Sequence, residues 1–322
     1  MNIGNLKLGG FAALAPMAGV ADRAMREICR EFGAAYTVGE LTSAKGISLK
    51  DKKSAGLLRC GEGERPYGAQ LFGSEPEVLA KAAESALEFR PDFIEINMGC
   101  PAPKVAGNGG GSALMKDIPL AEKIVAAVVK VSSVPVTVKM RTGWDEDNIN
   151  APQLAKACEA AGAAVITVHG RTRKQMYAPP VDYKTIANVK KSVQIPVVGN
   201  GDVVDGKSAR YMMNATGCDF VLVGRAAQGN PFIFSEINEY MRGKDYTYPP
   251  LEERFKIMIR QIELMHKYKD PHNAILESRK HTAWYMKGLA GAAQLRRMCG
   301  EIKSMQDIYD ICETALEGNK NL

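Results

Sequence analysis

What this sequence lacks narrows the field first. It has no apolar run near the roughly 18 residues that would cross a bilayer. The first apolar stretch, Phe11 to Val20, is short and broken by Pro16. No basic-then-apolar leader opens the chain, so neither a membrane-embedded nor a secreted protein is expected. Seven cysteines are scattered (Cys29, Cys60, Cys100, Cys158, Cys218, Cys299 and Cys312), with no CxxC pair among them. An odd number without ligand spacing argues against a disulfide framework and against a metal site. Most should be small buried side chains, at home in a reducing cytosol. Histidine is scarce, four in 322 residues, and a net charge of +6 permits a polyanionic partner without requiring one.

What is present is alternation. Short apolar runs fall at Phe11–Met17, Ala35–Leu41, Tyr67–Phe72, Phe93–Asn97, Val136–Met140, Val165–His169, Val197–Asn200 and Phe220–Val223. Between them lie segments such as Glu77–Glu88, Ile118–Val131, Gln153–Ala161 and Tyr183–Lys190, whose apolar residues recur every three or four positions. Strand runs alternating with helices predict parallel βα units, and eight of them predict a (β/α)₈ TIM barrel of about 250 residues. An open doubly wound sheet would usually begin with a GxGxxG turn; Ala15-Pro16-Met17-Ala18-Gly19 is not one. After the eighth run, Arg242-Gly243-Lys244-Asp245 and Pro249-Pro250 break the pattern. Helical segments then follow at Leu251–Tyr268, Ala274–Lys287, Gln294–Cys299 and Met305–Leu316. The expected organisation is a barrel over residues 1–242 and a small C-terminal helical domain over 251–322.

Barrel chemistry sits where strands end, and polar residues recur there. The second run ends near Glu40, the third contains Gln70, and the fourth leads into Asn97-Met98-Gly99-Cys100-Pro101. Lys139 and Arg141 share one face of the fifth, being two residues apart. His169, Asn200-Gly201-Asp202 and Gly224-Arg225 close the last three. One such residue is ordinary solvation, whereas seven strands ending this way predict a lined cavity. Glycines beside an arginine after the last two strands fit an anion site, because backbone N–H groups can approach and a guanidinium binds bidentately. Lys139 needs an anionic or electron-rich neighbour, since an unpaired buried ammonium is costly. That neighbour is Glu95, Glu40 or a cofactor, and the anion site favours the cofactor. His169, followed by Gly170-Arg171-Thr172-Arg173, is expected to help bind an anion. Cys100 precedes four glycines in the five positions from Gly107 to Gly111, which predict a mobile loop end. A thiol there could donate a proton, attack an electrophile or be inert.

These motifs resemble those of the tRNA-dihydrouridine synthases. The resemblance is carried by Ala15-Pro16-Met17-Ala18-Gly19, Asn97-Met98-Gly99-Cys100-Pro101, Val138-Lys139-Met140-Arg141, Val168-His169-Gly170-Arg171-Thr172-Arg173 and Gly199-Asn200-Gly201-Asp202. In the tail, Arg279-Lys280-His281-Thr282-Ala283-Trp284-Tyr285-Met286-Lys287-Gly288-Leu289 resembles the bacterial branch called type B. The resemblance implies FMN as cofactor and NADPH as electron donor. It implies that Ala15, Pro16, Met17, Ala18, Gln70 and Lys139 hold the flavin ring. His169, Asn200, Gly201, Asp202, Gly224 and Arg225 would hold its phosphate arm. Asn97 would then face a uracil, Arg141 would orient it, and Cys100 would supply a proton to C5 after hydride reaches C6.

A tRNA partner is implied in the same way. The stretch from Arg254 to Lys303 holds eleven Lys and Arg against four Asp and Glu, with Phe255, Tyr268, Trp284 and Tyr285 interleaved. Basic residues among aromatics suit splayed bases in folded RNA, though they also suit a solvated face over an aromatic core. Arg171, Arg173, Arg279, Lys280 and Lys287 are the expected RNA contacts, and the protein is expected to be a cytoplasmic monomer. A barrel enzyme acting on a free pyrimidine, as dihydroorotate dehydrogenases do, would not need this tail. A non-catalytic RNA-binding barrel would be colourless and indifferent to Cys100→Ala.

Overall fold

Eight parallel strands close into a ring because their side chains alternate between the barrel interior and the surrounding helices. The computed structural model describes residues 1–320. Its barrel strands are β1 (Ala12–Leu14), β2 (Thr37–Val38), β3 (Tyr67–Phe72), β4 (Phe93–Met98), β5 (Val136–Arg141), β6 (Val165–His169), β7 (Val197–Asn200) and β8 (Phe220–Val223). Each pairs with its sequence neighbour, and β8 returns to β1 with Leu222 opposite Ala13. The TIM barrel read from the alternation is therefore the observed fold.

The first two strands are shorter than the sequence predicts. After Leu14 the ladder ends at Ala15, whose N–H still reaches the Val223 carbonyl at 2.8 Å, and Pro16 has no N–H to continue it. The second run splits into Thr37–Val38 and a separate pair, Thr42–Ser43, against β3. Between them the Glu40 side chain turns away to accept the Gly19 N–H.

Helices start where the sequence supplies caps: Asp117, Asp182 and Asp205 each accept a backbone N–H from the first turn of the helix they precede. Their apolar faces and the outward faces of the strands form the largest core. A second cluster fills the barrel bottom, where Tyr36, Phe93 and Phe220 meet Val165 and Val198. It is closed from below by an antiparallel hairpin, Asn2–Ile3 with Leu6–Lys7, which inserts Ile3 and Leu8. The sequence reading contains no such plug.

Past Leu251 come four helices, Leu251–Tyr268, Pro271–Tyr285, Ala292–Gly300 and Met305–Gly318. They surround a core of their own, with Phe255, Met258, Ile262, Tyr285, Cys299 and Ile311, to which the barrel side adds Ala24, Phe232 and the partly buried Phe32. The last two residues of the expected 251–322 segment lie outside the described residues. No described helix is long and apolar enough to cross a membrane.

Candidate active site at the barrel mouth

The strand ends converge on a cavity of about 1260 Å³ at the C-terminal mouth. Its walls include every residue expected to meet a cofactor, together with Asn97, Cys100, Arg141 and Arg171. The helical segment completes it with Arg254, Trp284 and Lys287.

On the β3–β4 side, polar groups are chained together. Gln70 Nε2 donates to Glu95 Oε1 at 2.7 Å, and Asn97 Nδ2 donates to Gln70 Oε1 at 3.1 Å. Burial pushes the Glu95 carboxyl up to about 7, although Lys139 and Gln70 oppose the shift. Burial likewise draws the Lys139 ammonium down to about 8 against the pull of Glu95. Lys139 Nζ donates to Asn200 Oδ1 at 3.2 Å, while Asn200 Nδ2 is fixed by the Leu222 carbonyl at 2.8 Å. Glu95 is thus one electrostatic group with Lys139 and Asn200, which line the cavity in front of it. The sequence reading offered Glu95 only as one possible neighbour of Lys139.

Cys100 sits on a held backbone. Asn97 Oδ1 accepts the N–H groups of Gly99 at 3.1 Å and Cys100 at 2.8 Å, and the Cys100 carbonyl accepts from Ser112 N at 3.1 Å. The glycine run lies between a short helix at Pro103–Ala106 and a 3₁₀ turn at Gly111–Lys116, with Gly107 and Asn108 exposed and Gly110 and Gly111 buried. Gly111 has φ +57°, and a Cβ there would lie 2.8 Å from the Cys100 carbonyl oxygen. Glycine at 111 serves close approach to the cysteine.

Arg141 is 3% exposed. Its Nε donates to the Gly99 carbonyl at 2.8 Å, and Nη1 donates to those of Thr172 and Met176 at 2.9 and 2.8 Å. It therefore ties the cysteine loop to the loop after β6. Arg171 departs further from expectation. It is 1% exposed, pairs with both carboxylate oxygens of Asp202 and donates to the Ala178 carbonyl at 2.7 Å. Buried, with four of its five N–H groups engaged, this guanidinium braces the Asp202 loop from the cavity wall instead of standing free at the surface. Its Nη1 lies 3.4 Å from His169 Nε2, which must act as acceptor because a guanidinium only donates. Burial, reinforced by Lys139, Arg141, Arg171 and Arg225, lowers the His169 imidazole to about 2, so the ring is neutral.

Asp202 also holds Arg225, at 3.2 Å. Around them the N–H groups of Gly201, Asp202, Val203, Gly224, Arg225 and Ala226 have no hydrogen-bond acceptor among the described residues. Free N–H groups beside an arginine are the donor set a phosphate monoester requires. Tyr177, absent from the sequence reading, overhangs this end, with the Arg225 guanidinium 5.0 Å and the Arg141 guanidinium 5.7 Å from its ring centre. The only sequence signal for it was an aromatic residue six positions beyond Arg171.

The expected RNA contacts in the tail divide. Lys287 is exposed and lines the cavity. Lys280 lies at the seam with the barrel, 3.5 Å from Glu277. Arg279 donates Nε–H to the Ile302 carbonyl at 2.9 Å and braces the tail internally. Arg173 packs over Trp144, 4.6 Å from its ring centre. Among the described residues no group of three or more His, Cys, Asp or Glu could hold a metal.

With this geometry in view, comparison with known proteins is decisive. The family model described as Dihydrouridine synthase (Dus) matches residues 13–320. The chain belongs to the dihydrouridine synthase family. It is 42% identical over 314 residues to the tRNA-dihydrouridine synthase B of Pseudomonas aeruginosa, covering 97% of this chain and 93% of that protein. To the tRNA-dihydrouridine synthase B of Vibrio vulnificus it is 40% identical over 299 residues, 92% of each chain. Among solved structures, a morphinone reductase in complex with tetrahydroNAD superposes with a TM-score of 0.56. That match covers 79% of this chain and 92% of the reductase at 14% identity, a likeness of fold. The motif resemblance to dihydrouridine synthases is therefore correct at the level of family.

Proposed function

We propose that this protein reduces uridines in tRNA to 5,6-dihydrouridine, using FMN bound at the barrel mouth and NADPH as electron donor. The observation that carries the reading is the convergence of a thiol on a held backbone, a buried cationic group and a free N–H cluster on one cavity, in a member of this family. The residues present fit FMN. Gly201–Val203, Gly224–Ala226 and Arg225 offer phosphate donors, with Asp202 and Arg171 fixing Arg225 and the loop. Neutral His169 adds a hydrogen-bonding edge without repelling a cation. Ala15, Pro16, Met17, Ala18, Gln70 and Lys139 line the space a flat ring would take. The chemistry FMN supplies when bound is hydride transfer to C6 of the uracil.

The chain's own residues do the rest. Lys139 places positive charge where negative charge develops. Cys100 holds a proton on Sγ and delivers it to C5, and its fixed backbone keeps the thiol within reach of the ring. Asn97, at the cavity wall, presents an amide to the uracil while its Oδ1 holds Cys100. Arg141 orients the site from behind by bracing the two loops. Trp284, Lys287 and Arg254 form the wall nearest to incoming RNA, where an extruded base must be supported. Arg173 and Lys280 extend that basic surface. The protein works as a cytoplasmic monomer, since one mouth and one basic wall suffice.

The test is direct. Purified protein should be yellow, and with NADPH it should convert unmodified tRNA to dihydrouridine-containing tRNA by mass spectrometry. Cys100→Ala should stay yellow and lose on the order of 10²–10⁴-fold in turnover. Activity on free uracil or orotate alone would reject RNA as substrate.

A further inference from the structure

The seam between barrel and tail contains an ionic cluster for which the site description has no use. Asp22 is 4% exposed and immediately follows the turn Met17–Ala21, whose Met17, Ala18 and Val20 line the cavity. Its Oδ1 caps the helix Arg23–Glu31 by accepting Met25 N–H at 2.9 Å. Its Oδ2 takes the ammonium of Lys269, 2.5 Å away and 247 residues later in sequence. Lys269 also donates to Glu277 at 2.6 Å, and Glu277 in turn holds Lys280. Glu40 fixes the other side of the turn through Gly19 N–H. Lys269 stands just before the helix Pro271–Tyr285, and that helix ends by delivering Trp284 to the cavity. A rigid helix of this length spans roughly 22 Å, so a few degrees of rotation at the Lys269 end would move Trp284 by an ångström or more.

We infer that Asp22 and Lys269 are positioning residues that set the tail's Trp284–Lys287 wall over the barrel mouth, and that they act on RNA reduction but not on reduction of the flavin. This rests on the RNA-reducing function proposed above. The pair is too far inside to be a surface ion pair of negligible worth, and breaking it by truncating one partner leaves a buried charge uncompensated. Asp22→Asn is the discriminating variant, because asparagine caps a helix as well as aspartate does while giving up the charge. Lys269→Met removes the other partner, and Lys269→Arg restores the charge.

The experiment uses flavin-loaded full-length protein. In Asp22→Asn and Lys269→Met, flavin content and NADPH oxidation with ferricyanide as acceptor should match wild type. kcat/KM for tRNA should fall about tenfold or more, chiefly through KM, and Lys269→Arg should recover most of it. Independently of activity, in a Trp144→Phe background the remaining Trp284 should become more accessible to acrylamide quenching when Asp22→Asn is added. Unchanged kcat/KM for tRNA with unchanged quenching would overturn the inference. So would parallel losses in NADPH oxidation and RNA reduction, which would place the pair's effect in the barrel itself. A wild-type protein that makes no dihydrouridine fails the functional proposal instead, and the quenching comparison still decides whether the pair places Trp284.

Discussion

The two halves of the barrel interior are built on the same strands and serve opposite ends. In the lower half, Tyr36 meets Phe93 edge-on with ring centres 5.5 Å apart and stacks on Phe220 at 6.0 Å. Ile3 and Leu8 seal them from below. Four residues further along the same face of β4, Phe93 gives way to Asn97, and on β6 Val165 gives way to His169. The lower half contributes stability by removing apolar area from water, about 25 cal/mol per Å². The upper half spends some of it, because Glu95, Lys139 and Arg141 are desolvated and only partly compensated. The difference separates what holds the ring closed from what the ring is for.

The largest effect that would test this division is at Phe93. Phe93→Ala should cost about 3–5 kcal/mol of unfolding free energy, seen as an earlier denaturant midpoint, because the plug cannot fully collapse into the gap. The folded fraction should still bind flavin. A loss of flavin binding without a loss of stability would mean the halves are not separable.

Much of this molecule was legible in the sequence, for identifiable reasons. Strand period and the recurrence of polar residues at strand ends survive translation into structure because each is local, so β3 to β8 and the cavity wall follow from them. The hairpin plug was illegible because its two-residue strands carry almost no period. The burial of Arg171 is not legible, because its partner Asp202 lies 31 residues away and charge looks the same paired or free. The Asp22–Lys269 pair hides in the same way. The role of Gly111 is not legible either, because composition reports flexibility and cannot report a crowded carbonyl.

Gly111→Ala forces a side chain into φ +57° and toward the Cys100 carbonyl oxygen. The cost should be about 1–3 kcal/mol, and the displaced Cys100 should react several-fold faster with iodoacetamide while dihydrouridine formation falls. A loop that was merely loose would accept alanine with neither change.

The smallest effect, and the sharpest for the upper half, is the pH dependence contributed by Glu95. Its folded carboxyl keeps its proton up to about pH 7, whereas an unperturbed one releases it near 4.5. Between those values the folded state binds more protons than the unfolded state. Its stabilising contribution is therefore complete below about pH 4.5 and is lost as pH rises through 7. Glutamine cannot titrate, yet its oxygen can still accept from Gln70 Nε2. In flavin-free protein, the stability of wild type minus that of Glu95→Gln should decline from pH 5 to 7, the carboxyl itself contributing up to about 1.4 kcal/mol per pH unit. His169 titrates with the opposite sign, since its neutral folded form is penalised as pH falls below 6.5, but that contribution is common to both proteins and cancels. Lys139 releases its proton only near 8 in the wild type; in Glu95→Gln it loses the pull of the carboxylate and titrates lower, which adds to the decline in the same direction. A flat difference curve would mean that Glu95 is ionised throughout and paired to Lys139 as a full salt bridge. The mouth would then be as well compensated as the barrel bottom is well packed, and the contrast between the two halves would lose its electrostatic side.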